Sequence, residues 1–93
     1  MEKVKRDIVI KNSQGLHARP AALFVQTACK FDSSIRISKD ADIVDGKSIM
    51  GILSLGAERG NKVTLIVEGD DAQEAFAELE KILTQDLDKA KEK

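Results

Sequence analysis

Tryptophan and tyrosine are absent from this chain, and three phenylalanines are its only aromatic residues. Without a stacking platform, recognition of unpaired nucleic-acid bases is excluded as its main activity. An excess of positive charge is missing too: 15 lysines and arginines face 16 aspartates and glutamates, leaving a net charge of −1. That balance offers no electrostatic footprint for a nucleic-acid backbone. No apolar run approaches the roughly 20 residues of a membrane span, and the first residues carry no signal-peptide h-region. The single cysteine rules out an internal disulfide and fits a reducing cytoplasm. One cysteine and one histidine are too few soft ligands for a metal site, so neither metal nor cofactor is expected.

The 93 residues suffice for one domain around one core. No repeat or linker divides them. The span 1–93 is therefore expected to be a single domain, ordered over about 4–87, with a charged C-terminal end that frays.

What is present concentrates in Gly15-Leu16-His17-Ala18-Arg19-Pro20-Ala21, which holds the only histidine and the only proline. Proline fixes φ and lacks an N–H, so it suits the first turn of a helix. Apolar residues follow at helical spacing (Ala21, Ala22, Leu23, Phe24, Val25, Ala28). They predict a helix over about 18–29, with His17 at its N-cap and Gly15 making the preceding turn. A helix start presents unpaired N–H groups and a partial positive charge of roughly half an elementary unit. An imidazole there, with Arg19 two residues on, sits in an anion-stabilising corner suited to a nitrogen that accepts a phosphoryl group. The residues alone also allow His17 to be an ordinary cap or surface side chain.

Residues 4–10 read as a strand, β-branched but imperfectly alternating, and 11–15 as a polar turn. Phe31 should pack back beneath the first helix, and Cys29 should be a semi-buried filler at its end. Ile35-Arg36-Ile37-Ser38 alternates as a strand with both isoleucines inward. Lys39-Asp40-Ala41 connects it to a short edge strand, Asp42-Ile43-Val44-Asp45, whose aspartates blunt pairing. A short second helix begins at Ser48, an N-cap residue. Gly51 in its interior implies either close packing or a soft helix. Residues 61–68 form the clearest strand, with Val63, Leu65 and Val67 on one face. Asp71 and Glu74 have capping-box spacing before an apolar stripe of Ala72, Ala75, Phe76, Leu79, Ile82 and Leu83, extended by Leu87. The order β-α-β-β-α-β-α predicts an α+β two-layer sandwich, although a ferredoxin-like split βαβ domain has a compatible pattern.

The stretch from Gly15 to Ala21, followed by Phe24-Val25, resembles the active-site signature of HPr. HPr is the histidine-containing phosphocarrier of the bacterial phosphoenolpyruvate-dependent phosphotransferase system. Lys47-Ser48-Ile49-Met50-Gly51-Ile52-Leu53-Ser54-Leu55-Gly56 resembles that family's regulatory serine segment, and the likeness runs from about Val4 to about Leu83. It implies an open-faced sandwich with an antiparallel sheet in the order 1-4-2-3 and three helices on one face. The other face is left to solvent, in keeping with Lys5, Asp7, Arg36 and Thr64.

The resemblance also implies roles. His17 takes a phosphoryl group on Nδ1 from phospho-Enzyme I and gives it to a IIA domain or protein, so the chain is a carrier rather than an enzyme. The N–H groups of Ala18 and Arg19 cradle the phosphate, and the Arg19 guanidinium neutralises it. Ser48 is the target of HPr kinase/phosphorylase, with a catabolite-control transcription regulator as a further partner. Ile49, Met50 and Leu53 form an exposed docking patch. The expected state is a cytoplasmic monomer. Gln14 departs from the Asn, Ser or Thr common in relatives, which removes a side-chain contact to phosphate from that position. Gly46 is similar to the nitrogen-related paralogue NPr, whereas Leu53-Ser54-Leu55-Gly56 is nearer the sugar branch. A binding module without phosphoryl transfer, or a ferredoxin-like small-molecule sensor, are readings from other classes. The pair His17 and Arg19 argues against the first, and the second needs no histidine.

Overall fold

The computed structural model describes residues 2–86. Its elements follow the expected order: β1 (Glu2–Val9), α1 (Ala18–Ala28), β2 (Ser34–Lys39), β3 (Asp42–Asp45), α2 (Ile49–Ser54), β4 (Lys62–Gly69) and α3 (Ala72–Thr84). The four strands form one antiparallel sheet in the order β1-β4-β2-β3. This is the open-faced sandwich, and the ferredoxin-like alternative is discarded. Leu87 as an extension of the α3 stripe, and the frayed end, fall outside the described residues.

Period-two alternation sets which strand residues meet the helices. Val4 and Ile8 from β1, Ile35 and Ile37 from β2, and Val63, Leu65 and Val67 from β4 are buried in one cluster with the apolar stripes of α1 and α3. All six residues of the predicted α3 stripe within the described span are buried. The imperfect alternation of β1 has a cause at Arg6. It shares the inward parity of Val4 and Ile8, but its guanidinium lies over the Phe76 ring at 4.7 Å from the centroid. Ile10, one residue past the strand, continues that parity and is also buried.

On the solvent face, Lys5, Asp7 and Arg36 are exposed and Thr64 is half-buried. Ile66 is the exception, only 8% exposed. Its register neighbours are Lys5 on β1 and Arg36 on β2, long side chains whose aliphatic stems shield apolar surface.

Two expectations are corrected. Asp71 stands at the N-cap of α3 but makes no side-chain cap. Its carboxylate instead accepts the N–H groups of Asp32 and Ser33, each at 3.0 Å, and the Ser33 hydroxyl. These bonds hold its acid below the usual carboxylate value, with the Ser33 hydroxyl the largest cause and the Asp32 N–H next. Three local donors at the α1–β2 connection outcompete the helix's own N–H groups. Cys29 is exposed rather than semi-buried. As the C-cap of α1 it lies past the last inward residue, Ala28, and its Sγ faces the Lys47 carbonyl at 4.0 Å.

Candidate functional site

The stretch between β1 and α1 is bound to the body of the protein almost residue by residue. Ile10 donates its N–H to the Asn61 carbonyl at 2.9 Å, and Lys11 and Asn12 both donate to Leu83 near the end of α3. Asn12 is 2% exposed and turns its amide inward, donating from Nδ2 to the Gly15 carbonyl at 2.9 Å. Gly15 returns the bond through its own N–H to the Asn12 carbonyl at 3.3 Å. Ser13 donates both its N–H and its hydroxyl to the Asp86 carboxylate, at 2.7 and 3.0 Å. Gly15 has φ +66° and no room for a side chain. Leu16 is fully buried and donates to the Ala57 carbonyl at 2.9 Å.

This scaffold delivers His17 to the N-cap of α1 with extended backbone, φ −128° and ψ 162°. His17 is half-buried as a residue, and its side chain makes no capping bond to the helix it opens. Ala18 then takes φ +50°, a left-handed conformation that costs an L-residue about 1–2 kcal/mol. Arg19 is exposed, and Pro20 occupies the first turn, where its missing N–H leaves no helix bond unmade. No acidic residue lies in that first turn, so no side chain of the turn itself offsets the positive end of the helix dipole. His17 thus stands at a helix start, whose positive dipole end favours negative charge, with Arg19 two residues on.

Ser48 caps α2 as the sequence predicts, its Oγ accepting the Gly51 N–H at 3.1 Å. Lys47 anchors that entry: its N–H donates to the Asp45 carboxylate at 2.9 Å and its Nζ to the Phe31 carbonyl at 2.8 Å. Gly51 answers to close packing, because a Cβ there would approach Val44 Cβ to 3.2 Å. Ile52 and Leu55 enter the core, while Ile49, Met50 and Leu53 are 40%, 74% and 42% exposed. The helix carrying them packs against α1, and the chain beyond it reaches the Ala57 carbonyl that holds Leu16. Gln14 is exposed, with its side chain outside the buried Asn12–Gly15 ring. Among the described residues no cluster of His, Cys, Asp or Glu could hold a metal ion, and no helix is long and apolar enough to cross a membrane.

Asn12, Ser13, Asp86 and the segment 57–59 are the supporting residues that sequence reasoning missed. Only Asn12, three residues before a glycine, had a local signal, that of an Asn-led turn.

Comparison with known proteins converges on one family. The family described as PTS HPr component phosphorylation site matches residues 4–85. The HPr-like protein Crh of Halalkalibacterium halodurans is 51% identical over 76 residues, which are 82% of this chain and 90% of that protein. The crystal structure of a phosphocarrier protein HPr from Bacillus anthracis str. Ames superposes with a TM-score of 0.84 at 44% identity, covering 87% of this chain and 96% of its own. An HPr dimer from Thermoanaerobacter tengcongensis is 62% identical with a TM-score of 0.65, covering 77% of this chain and 83% of its own.

Proposed function

This chain belongs to the HPr family of phosphotransferase-system components, and we propose that His17 is the residue on which it carries a phosphoryl group. The group comes from phospho-Enzyme I and passes to IIA components for sugar uptake. The observation that supports this most directly is the half-buried His17 at the N-cap of an 11-residue helix, on a loop bonded almost residue by residue, with its side chain unused as a cap.

In the proposed step the Nδ1 lone pair of His17 attacks phosphorus on the donor's phosphohistidine. The donor N–P bond breaks as the new one forms, and its electron pair stays on the donor imidazole. Repetition of the same in-line displacement on a IIA histidine unloads the carrier. Such a transfer needs alignment and charge stabilisation more than covalent help. The N–H groups of Ala18 and Arg19 and the Arg19 guanidinium supply the stabilisation, and Ile49, Met50 and Leu53 supply a docking surface for partners.

Ser48 is proposed as the target of HPr kinase/phosphorylase. A phosphate there adds about −1.5 to −2 charges at the start of α2, where the dipole tolerates them. It would repel a partner with an acidic docking face, and the catabolite-control transcription regulator would read that form. The reading further takes the span 1–93 as one domain acting as a cytoplasmic monomer. Since a relative is known as a dimer, sedimentation of the full chain decides the state.

Incubation with phosphoenolpyruvate and Enzyme I, followed by intact-mass analysis, tests the assignment. An acid-labile phosphoryl adduct absent from His17→Ala supports it, and an adduct that persists in His17→Ala removes it. A nitrogen-branch NPr role is the second reading, favoured by Gly46. That glycine also has a packing reason, since a Cβ would come within 2.5 Å of Ile35 Cγ2. Preference between sugar-branch and nitrogen-branch Enzyme I separates the two.

A further inference from the structure

We propose that Asp86 is a positioning residue for phosphoryl transfer, acting through Ser13 on the loop that presents His17; this rests on the reading that His17 is the acceptor. The bridge from β1 to α1 is held mainly by backbone carbonyls of Asn61, Leu83, Asn12 and Ala57. Those anchors exist in any sequence that folds this way. Ser13 is different, because its N–H and its hydroxyl both go to a side chain 73 residues away. Asp86 lies just past α3 and takes both Ser13 donors on one carboxylate oxygen, at 2.7 and 3.0 Å. Bonds to an ionised acceptor are shorter and stronger than neutral ones.

The neighbouring contacts show why this point matters. Ser13 lies inside the Asn12–Gly15 ring of reciprocal bonds. That ring ends at Gly15, whose close fit against 57–59 sets the entry to Leu16 and His17. Leu83, which binds Lys11 and Asn12, is three residues before Asp86. The end of α3 thus grips three consecutive loop residues, and Asp86 makes the last of those bonds before the ring closes. A loop released at Ser13 lets the imidazole sample more orientations, and in-line transfer is steeply sensitive to misplacement on the ångström scale.

The test compares full-length Asp86→Ala, Asp86→Asn, Ser13→Ala and the double variant Ser13→Ala/Asp86→Ala with wild type. We expect Asp86→Ala to lower the maximal rate of transfer from phospho-Enzyme I about fivefold, with the half-saturating Enzyme I concentration unchanged. Asp86→Asn keeps an oxygen acceptor and should recover most of the rate. The double variant should be no slower than Asp86→Ala alone, as expected for one shared interaction. In the unphosphorylated protein, the NMR signals of the His17 ring should shift or broaden in Asp86→Ala and return in Asp86→Asn. A wild-type rate in Asp86→Ala overturns the proposal, as does a loss that Asn does not rescue. If wild type itself accepts no phosphoryl group, the assignment of His17 fails instead. The ring signals then decide the positioning role alone, and unchanged signals overturn it.

Discussion

Gly15 is pressed against Ala57: a Cβ on Gly15 would meet the Ala57 carbonyl oxygen at 2.8 Å, and that same oxygen accepts the Leu16 N–H at 2.9 Å. The loop before His17 and the segment leaving α2 therefore share a seam that neither can widen without losing a bond in the core. Gly15→Ala must both adopt φ +66° and displace this backbone. The left-handed penalty alone is about 1–2 kcal/mol, and the displacement adds to it. Urea denaturation should show a loss of about 2–4 kcal/mol in total. A loss under about 1 kcal/mol would mean that the seam yields, contrary to its role as the mould for the histidine loop.

Asp71 ties the helix α3 start to the loop entering β2 through three accepted bonds. These bonds favour the ionised carboxylate, so its folded-state value lies below the ordinary 3.8. The stability it contributes is present above that ordinary value and is lost as pH falls through the lowered one. Wild type should accordingly exceed Asp71→Asn in stability near neutral pH. The gap should close in strong acid, once the wild-type carboxyl is protonated in both states. Denaturation midpoints of the two proteins across acidic pH check this; a gap that stays constant would show that charge is not what those bonds need.

Ser48 offers a clean separation of cap from charge. Its Oγ accepts the Gly51 N–H at the head of a helix only six residues long. Ser48→Ala should cost about 1 kcal/mol. Ser48→Asp retains a capping oxygen and should melt within a few degrees of wild type. The same Asp variant should accept phosphate from Enzyme I several-fold more slowly, because its negative charge faces the docking partner. Melting curves paired with transfer rates distinguish the two effects, and equal rates in Ser48→Asp would remove the regulatory role.

Periodic features were legible in advance because each depends on its own neighbours. The stripe of α3, the inward faces of β2 and β4, the cap at Ser48 and the start of α1 before Pro20 all appear where spacing places them. Gly51 left two explanations open, and only the position of Val44 decides for close packing. What could not be read depends on residues brought together across the chain. Asp86 reaches Ser13 over 73 positions, and Asp71 abandons the cap its spacing suggests because Ser33 is nearby in space. The left-handed backbone at Ala18 has no signature either, since glycine, asparagine and aspartate are the residues that mark such a position. Burial of Asn12 runs against its polarity: its Nδ2 meets the Gly15 carbonyl, whereas its buried Oδ1 has no hydrogen-bond partner among the described residues.

Arg19 is where charge and geometry make opposite demands on a substitution. It lies in the first turn of α1, exposed and two residues from His17, at the positive end of an 11-residue helix. Arg19→Lys preserves the positive charge and helix propensity, so the fold and its melting temperature should be unchanged. A lysine is a compact point charge, however, and cannot present the planar pair of N–H groups that matches two phosphate oxygens. If the role of Arg19 were long-range attraction alone, the two residues would serve equally. If it grips the moving phosphoryl group, the variant should slow transfer by about tenfold, corresponding to loss of roughly one charge-assisted hydrogen bond. Because a fixed charge also steers encounter, raising the salt concentration should slow both proteins alike. Rapid-quench measurement of phosphoryl transfer from Enzyme I at two salt concentrations separates these effects. Matching rates for Arg19→Lys and wild type would sink the assignment of a bidentate role.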